Sequence, residues 1–340
     1  MLNDFHHIEA PVPTITVAQR SSVGTTTRHP LDGSILLATD GTAQSSGAFA
    51  AAVGITATAA RRAAGLAPLP VHVVTVSDAL SVLTPEMRIT VPRDYSESRR
   101  AGMLATAAEQ LRYCVADRAD WSVEALSGAV APTLVTAAVE SGASLIVMGL
   151  GKHQLVDRIF GTETALRVMQ QSPVPVLAVP QNWIGIPRRL LVAVDFGPAS
   201  LRAARAAMHL VAPGGSVHFA HVELNANAWR YDDEVAATFQ TRLFEDFDRF
   251  VTAAGVPDDV TITRTPLYGE AAPALLGWAS AHCADLIVAG THGVNPLARL
   301  LVGSVASKLV RGAHCAVLVS PARDDRGWRD VIDGESPTAR

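Results

Sequence analysis

The chain has 340 residues, enough for two domains of ordinary size. Hydrophobic residues make up 49% and aromatic ones 5%, so the cores must be built from Ala, Val and Leu, which suits helices packed closely on a parallel sheet. A formal charge of −4 and a pI near 6.3 supply no basic field for nucleic acid or an anionic membrane surface. The cysteines Cys114, Cys283 and Cys315 are scattered and odd in number. They fit neither a disulfide framework nor a metal site, and each is expected to be a small buried residue in a reducing compartment. The opening MLNDFHHIEAPVP lacks a basic patch followed by an apolar core, and no apolar run reaches membrane-spanning length, so a cytoplasmic location is expected.

Residues 1–32 show no period, and Pro11, Pro13 and the SSVGTTT run suit an irregular arm. Structure should begin with a strand from Ile35 that closes on Asp40-Gly41, followed by an Ala-rich helix to about Ala64. Val71–Val76 reads as a second strand, 77–97 as irregular around Pro85 and Pro92, Ala101–Ala116 as a helix, and Trp121–Leu126 as a third strand. Gly128-x-x-x-Pro132 opens another helix; Leu145–Met148 and Val174–Val179 are the fourth and fifth strands.

The order then repeats. Leu190–Val194 closes on Asp195-Phe196-Gly197, Pro198 starts a helix, Val217–Val222 is a strand, Trp229–Ala254 is mostly helix and Val260–Arg264 is a third strand. Gly269-x-x-x-Pro273 answers Gly128-x-x-x-Pro132, and VAGTHG…VGS…CAVLVSP answers VMGLG…FGT…VPVLAVP. The chain is therefore expected to hold an arm at 1–32, domains at 33–180 and 188–321, a linker at 181–187 and a polar tail at 322–340. Strands alternating with helices predict an α/β fold with two tandem, doubly wound parallel-sheet domains. The short apolar fifth strands, Val174–Val179 and Ala316–Val319, are expected at sheet edges and should meet inside one chain, giving a pseudo-two-fold monomer.

The densest signal runs from Asp285 to Pro321. An apolar strand, Leu286–Ala289, is followed by Gly290-x-x-Gly293, nine residues, and Gly303-Ser304. Ser304 is placed as the N-cap of a helix through Val305, Leu309 and Val310. Leu297, Leu300 and Leu301 carry short helical spacing between them. Glycine amides beside a helix N-terminus make an anion site, most naturally for phosphate.

This spaced set resembles the nucleotide-binding signature of the universal stress protein family, in its ATP-binding branch. The resemblance implies a strand order of 3-2-1-4-5 in each domain, with the ligand at the switch point between strands one and four, which Asp195 and Gly290 end. It implies ATP as cofactor, with Mg²⁺ as an optional companion, and a role in stress adaptation through conformation or an unnamed protein partner; further homodimerisation stays open. Gly290, Thr291, His292, Gly293, Gly303 and Ser304 would then receive the triphosphate and ribose. Asp195 and the backbone of Val222 would lie by the adenosine, with Ala193 and Ala289 lining the base pocket. The first unit departs from the pattern: Gly149-Leu150-Gly151 is one residue shorter and ends at Gly161-Thr162. Its candidates are Asp40, Val76, Met148, Gly149, Gly151, Gly161 and Thr162, and it either binds nucleotide weakly or is purely structural.

No GxxxxGK[ST] loop, full dinucleotide fingerprint, serine elbow, metal cluster or carboxylate pair stands out. Near the motif only Arg299 and Lys308 add positive charge, and a solvated helix face accounts for both. Phosphoryl transfer needs more than this, so the expected activity is at most weak ATP hydrolysis. A slow ATPase and a ligand-free scaffold are the alternatives to a nucleotide-dependent regulator. His218 and His221, three apart on a strand, should face opposite sides and cannot chelate one metal.

Overall fold

The computed structural model describes residues 33–62, 69–78, 93–115, 121–151, 161–224, 233–291 and 303–321. The first half contains β1 (Ser34–Ala38), α1 (Ser46–Arg62), β2 (Val71–Ser77), α2 (Arg93–Cys114), β3 (Trp121–Ser127), α3 (Val130–Glu140), β4 (Ala143–Gly149), α4 (Thr162–Gln171) and β5 (Val176–Val179). The second repeats it with β6 (Arg189–Ala193), α5 (Pro198–Met208), β7 (Ser216–Glu223), α6 (Asp233–Ala254), β8 (Thr261–Tyr268), α7 (Ala271–Ala281), β9 (Leu286–Gly290), α8 (Ser304–Gly312) and β10 (Ala316–Ser320).

All ten strands form one sheet in the order β3-β2-β1-β4-β5-β10-β9-β6-β7-β8. Each half thus has the order 3-2-1-4-5. Among the described residues pairing is parallel within each half and antiparallel only at the seam, where Val317, Leu318 and Val319 face Ala178, Leu177 and Val176. The fifth strands cover each other's edges, which removes the exposed apolar edge that each half alone would carry.

The central strands are buried on both faces and read as continuous apolar runs for that reason. Alternate residues serve two cores. Ile35, Leu37, Leu190, Val192, Leu286 and Val288 pack with α1, α5 and α6. Leu36, Ala38, Leu191, Ile287, Val317 and Val319 pack with α3, α4, α7 and α8. Each such Leu, Ile or Val contributes about 1.5–3 kcal/mol by burial.

Several boundaries differ from the sequence reading. α2 begins at Arg93, not near Ala101, because the polar RDYSESRR run propagates a helix without any apolar period to announce it. β8 continues through Pro266 to Tyr268; it is an edge strand, where a missing N–H can face away from the ladder. Of the cysteines, Cys315 is buried, but Cys114 is partly exposed and Cys283 is exposed in the turn that ends α7. Gly303, not Ser304, is the N-cap of α8, since its backbone is the extended residue and Ser304 is already helical. His292, Gly293, Leu297, Leu300 and Leu301, and the expected arm and tail, lie outside the described residues.

Candidate functional site

The carboxyl ends of β6, β7 and β9 meet the N-termini of α7 and α8 around a cleft of about 230 Å³. It is lined by Ala193, Asp195, Val222, Ala289, Gly290, Thr291, Gly303 and Ser304 among others. Those eight are the described residues of the second unit's sequence-derived set, so the structure brings them together. It lies at the point where strand order reverses, as doubly wound sheets dictate.

One wall is the start of α8. Its first intrahelical bond runs from Ser307 N–H to Gly303 C=O at 2.9 Å. The N–H groups of Ser304, Val305 and Ala306 therefore have no intrahelical acceptor, no side chain caps the helix, and all three residues line the cleft. The exposed Ser304 hydroxyl has no partner among the described residues. Donors and helix dipole together favour an anion here. The Gly303 amide is not one of these donors, because it bonds to Thr291 C=O. Thr291 is itself buried, its N–H held by Ser320 C=O at 2.9 Å. These two bonds tie Thr291 to β10 and to the start of α8.

The glycine ending β9 has a different reason from the one its motif suggests. A Cβ on Gly290 would sit 2.7 Å from Ala199 Cβ and 2.8 Å from Ser200 N. The first turn of α5 crosses over it, so Gly290 is required by packing. Gly149 is pressed in the same way, more mildly, by Gln44 C=O at 3.0 Å.

The opposite wall is the end of β6 and β7. Asp195 uses one carboxylate oxygen to accept from Gly197 N–H at 2.8 Å, closing an Asx turn into α5. β6 ends at Ala193 while β7 runs on to Glu223. Val194 N–H bonds to Ala220 C=O at 2.8 Å. Backbone direction alternates along a parallel strand, so Val222 turns its N–H and C=O the same way, beyond the last rung. That leaves a donor and an acceptor open to the cleft beside Ala193 and Ala289.

Composition and spacing did not point to Val305, Ala306, Ser200 or His221, which also line the cleft. The first two could have been found by counting into the helix from Gly303; His221 had no such signal. As expected, His218 and His221 face opposite sides. His218 stacks on Trp278 of α7 at 3.9 Å, while His221 meets Phe196 at 4.9 Å. Lys308 lies on the exposed face of α8, 3.9 Å from Glu270.

In the first unit Asp40 accepts from Thr42 N–H, Thr42 Oγ1 and Ser45 Oγ at 3.0, 2.7 and 2.8 Å. Thr162 Oγ1 turns back to Gly151 C=O at 3.0 Å, and Gly161 is the N-cap of α4. Val76 and Met148 are fully buried at the strand ends. Asp40 is thus engaged by its own loop, and the Thr162 hydroxyl by the Gly151 carbonyl.

Known proteins share this architecture. A universal stress protein from Archaeoglobus fulgidus superposes with a TM-score of 0.59 at 19% identity, covering 88% of this chain and 99% of its own. A universal stress protein solved in complex with cAMP aligns at 26% identity with a TM-score of 0.32, over 40% of this chain and 97% of its own. A universal stress protein of Methanocaldococcus jannaschii is 45% identical over 60 residues, which are 18% of this chain and 35% of that protein. The chain thus spans about a third of that curated relative's length, and about half (51%) of the Staphylococcus aureus relatives that it matches at 36% identity. The model of the universal stress protein family matches residues 33–180 and again 187–321. With most of its length so matched, and with the fold repeated in both halves, the chain belongs to the universal stress protein family as a tandem member.

Proposed function

We propose that the second unit binds an adenine nucleotide, ATP foremost, and that occupancy makes the protein a nucleotide-dependent regulator. The observation that carries this is the facing of two walls. Three N–H groups at the start of α8, without a partner among the described residues, stand opposite the N–H and C=O of Val222, likewise without one, and the carboxylate of Asp195. An anionic phosphate chain suits the first wall. A base edge presenting both a donor and an acceptor suits Val222, and ribose hydroxyls suit Asp195. Ala193 and Ala289 leave room for a flat ring between them. Mg²⁺ would arrive with the phosphates, with Asp195 as the near carboxylate.

The first unit, with its candidates hydrogen-bonded internally, is the weaker site or none. Residues 33–180 and 188–321 serve as two domains joined by 181–187. No helix among the described residues is long and apolar enough to cross a membrane, and we take the protein to work in the cytoplasm.

Calorimetric titration of ATP, ADP and cAMP into the wild type and Gly303→Val tests this. A branched side chain at the helix cap should displace phosphate and cost at least about tenfold in ATP affinity. Unchanged ATP binding in Gly303→Val would refute the site.

A further inference from the structure

We propose that His221 is a positioning residue for the second unit's cleft, a protonated ring that straps the β6–α5 loop and its Asp195 to the end of β7, so that nucleotide affinity increases with protonation. The nucleotide part rests on the reading above; the strap does not.

Both ring nitrogens face acceptors. Nδ1 lies 2.7 Å from Val194 C=O, a group that can only accept. Nε2 lies 3.1 Å from Glu223 Oε1. A neutral imidazole has one N–H and cannot serve both a carbonyl and a carboxylate. The two bonds coexist only when the His221–Glu223 pair holds one further proton, which makes the ring an imidazolium or the carboxylate an acid. Without that proton, a bare lone pair faces the carboxylate or the bond to Val194 is given up.

The loop has need of a strap. Phe196, next to Asp195, is in the left-handed region at φ 55°, an unfavourable place for a bulky residue. It is held there by rings: His221 at 4.9 Å, Phe247 at 5.4 Å and Phe250 at 6.0 Å. The first unit solves the same turn differently. Gly41 takes the left-handed position at φ 76° without a side chain to clash. Thr42 and Ser45 hold Asp40, and the strand positions matching His221 and Glu223 are Thr75 and Ser77. The histidine and glutamate occur in the half whose aspartate accepts one bond where Asp40 accepts three.

The charged groups around the ring are few. Glu223 is on its own strand and Asp195 follows Val194, whose carbonyl the ring meets. On the side of α6 and β8, Arg264 pairs with Asp248. From α5, Arg205 gives its Nε–H to Ala253 C=O at 2.8 Å. Among the described residues only Glu223 makes an ion pair with the ring.

The test uses the full chain as wild type, His221→Asn and Glu223→Gln, across about pH 5 to 8, where imidazoles change charge. Ring nitrogens are followed by nitrogen-15 NMR, and the loop by hydrogen exchange at the Gly197 amide, corrected for intrinsic base catalysis; MgATP is titrated by calorimetry. In the wild type both nitrogens should carry protons at low pH. Their loss should accompany faster Gly197 exchange and about tenfold weaker MgATP binding. His221→Asn should abolish the pH dependence of exchange and of affinity, and Glu223→Gln should move the transition to lower pH. A wild-type ring with a single N–H throughout, or Gly197 exchange indifferent to its titration, overturns the strap. A protonated ring and a protected loop without MgATP uptake at any pH supports the strap and refutes the nucleotide reading.

Discussion

The two halves share a fold and a seam, yet they spend their polar groups in opposite ways. In the first, the aspartate after β1 is held by its own loop, from which Asp40 accepts three bonds, and Gln110 of α2 donates to Thr42 C=O at 2.7 Å. In the second, Asp195 accepts a single bond among the described residues and the loop is braced by aromatic rings instead. The helix starts differ likewise. α4 carries Glu163 in its first turn, where α8 carries Val305. A carboxylate at a helix N-terminus already occupies the favourable field that a phosphate would seek. The two helix starts therefore share an uncapped first turn and differ in the side chain that it carries.

The largest test of that contrast separates packing from binding. Gly290→Val should lower unfolding stability by about 3 kcal/mol or more, because backbone atoms of α5 block the side chain. Gly149→Val, with its nearest neighbour at 3.0 Å, should cost less. Denaturant unfolding of both variants decides it, and equal costs would show that the two crossings are alike.

Next comes a paired histidine. His218 and His72 occupy matching positions and make matching bonds, to Thr263 Oγ1 at 2.6 Å and Ser122 Oγ at 2.7 Å. Only His218 lies buried against a tryptophan, Trp278, itself stacked on His282. Burial first, and the His282 charge second, push its pKa down to about 4. An unfolded histidine takes its proton near the ordinary value of about 6.5. The contribution is therefore complete above about pH 6.5 and is lost as pH falls towards 4, by at most about 3 kcal/mol. His218→Phe, which keeps a stacked ring, should flatten this acid limb in urea unfolding at about pH 7 and pH 4.5. His72→Phe should leave it in place.

A smaller effect is expected at the two aspartates. Asp195→Ala should weaken ATP binding by about tenfold with little loss of stability, and Asp40→Ala should cost about 1–2 kcal/mol of stability with little effect on ATP. Calorimetry and thermal unfolding on the same samples would expose a reversal. The smallest concerns Glu163, which meets Arg311 across the seam at 2.8 Å with both side chains more than half exposed. Glu163→Gln should change stability by under about 0.5 kcal/mol and strengthen any ATP binding to the first unit severalfold. A first unit that still takes up no ATP would show that its aspartate, not its helix, closes it.

Much of the fold was legible because buried parallel strands write themselves as apolar runs, and Pro198 and the GxxxP pairs mark helix starts. The tandem order followed from matching Asp40 with Asp195 and Gly149 with Gly290. What the pattern hid was of two kinds. Arg93 to Ala101 folds as helix without an apolar stripe, and β8 passes through Pro266 because it lies at the sheet's edge. In the site, Gly290 was visible while its cause was not, since the reason for it lies in α5, some ninety residues earlier in the chain. His221 was hidden more deeply: its meaning depends on a carbonyl from a neighbouring strand end, and no local spacing encodes that.

The antiparallel seam between β5 and β10 has an evolutionary corollary. Were the same seam formed between two separate copies of one domain, every substitution would appear on both sides of the axis. A change that closed one pocket would close both. Joining the halves in one chain lifts that constraint, and it also holds them together whatever the dilution. One half is then free to diverge from the other, as Asp40 with its three bonds has from Asp195 with one. The other keeps Phe196 in the left-handed region beside an aspartate for which a single bond is seen.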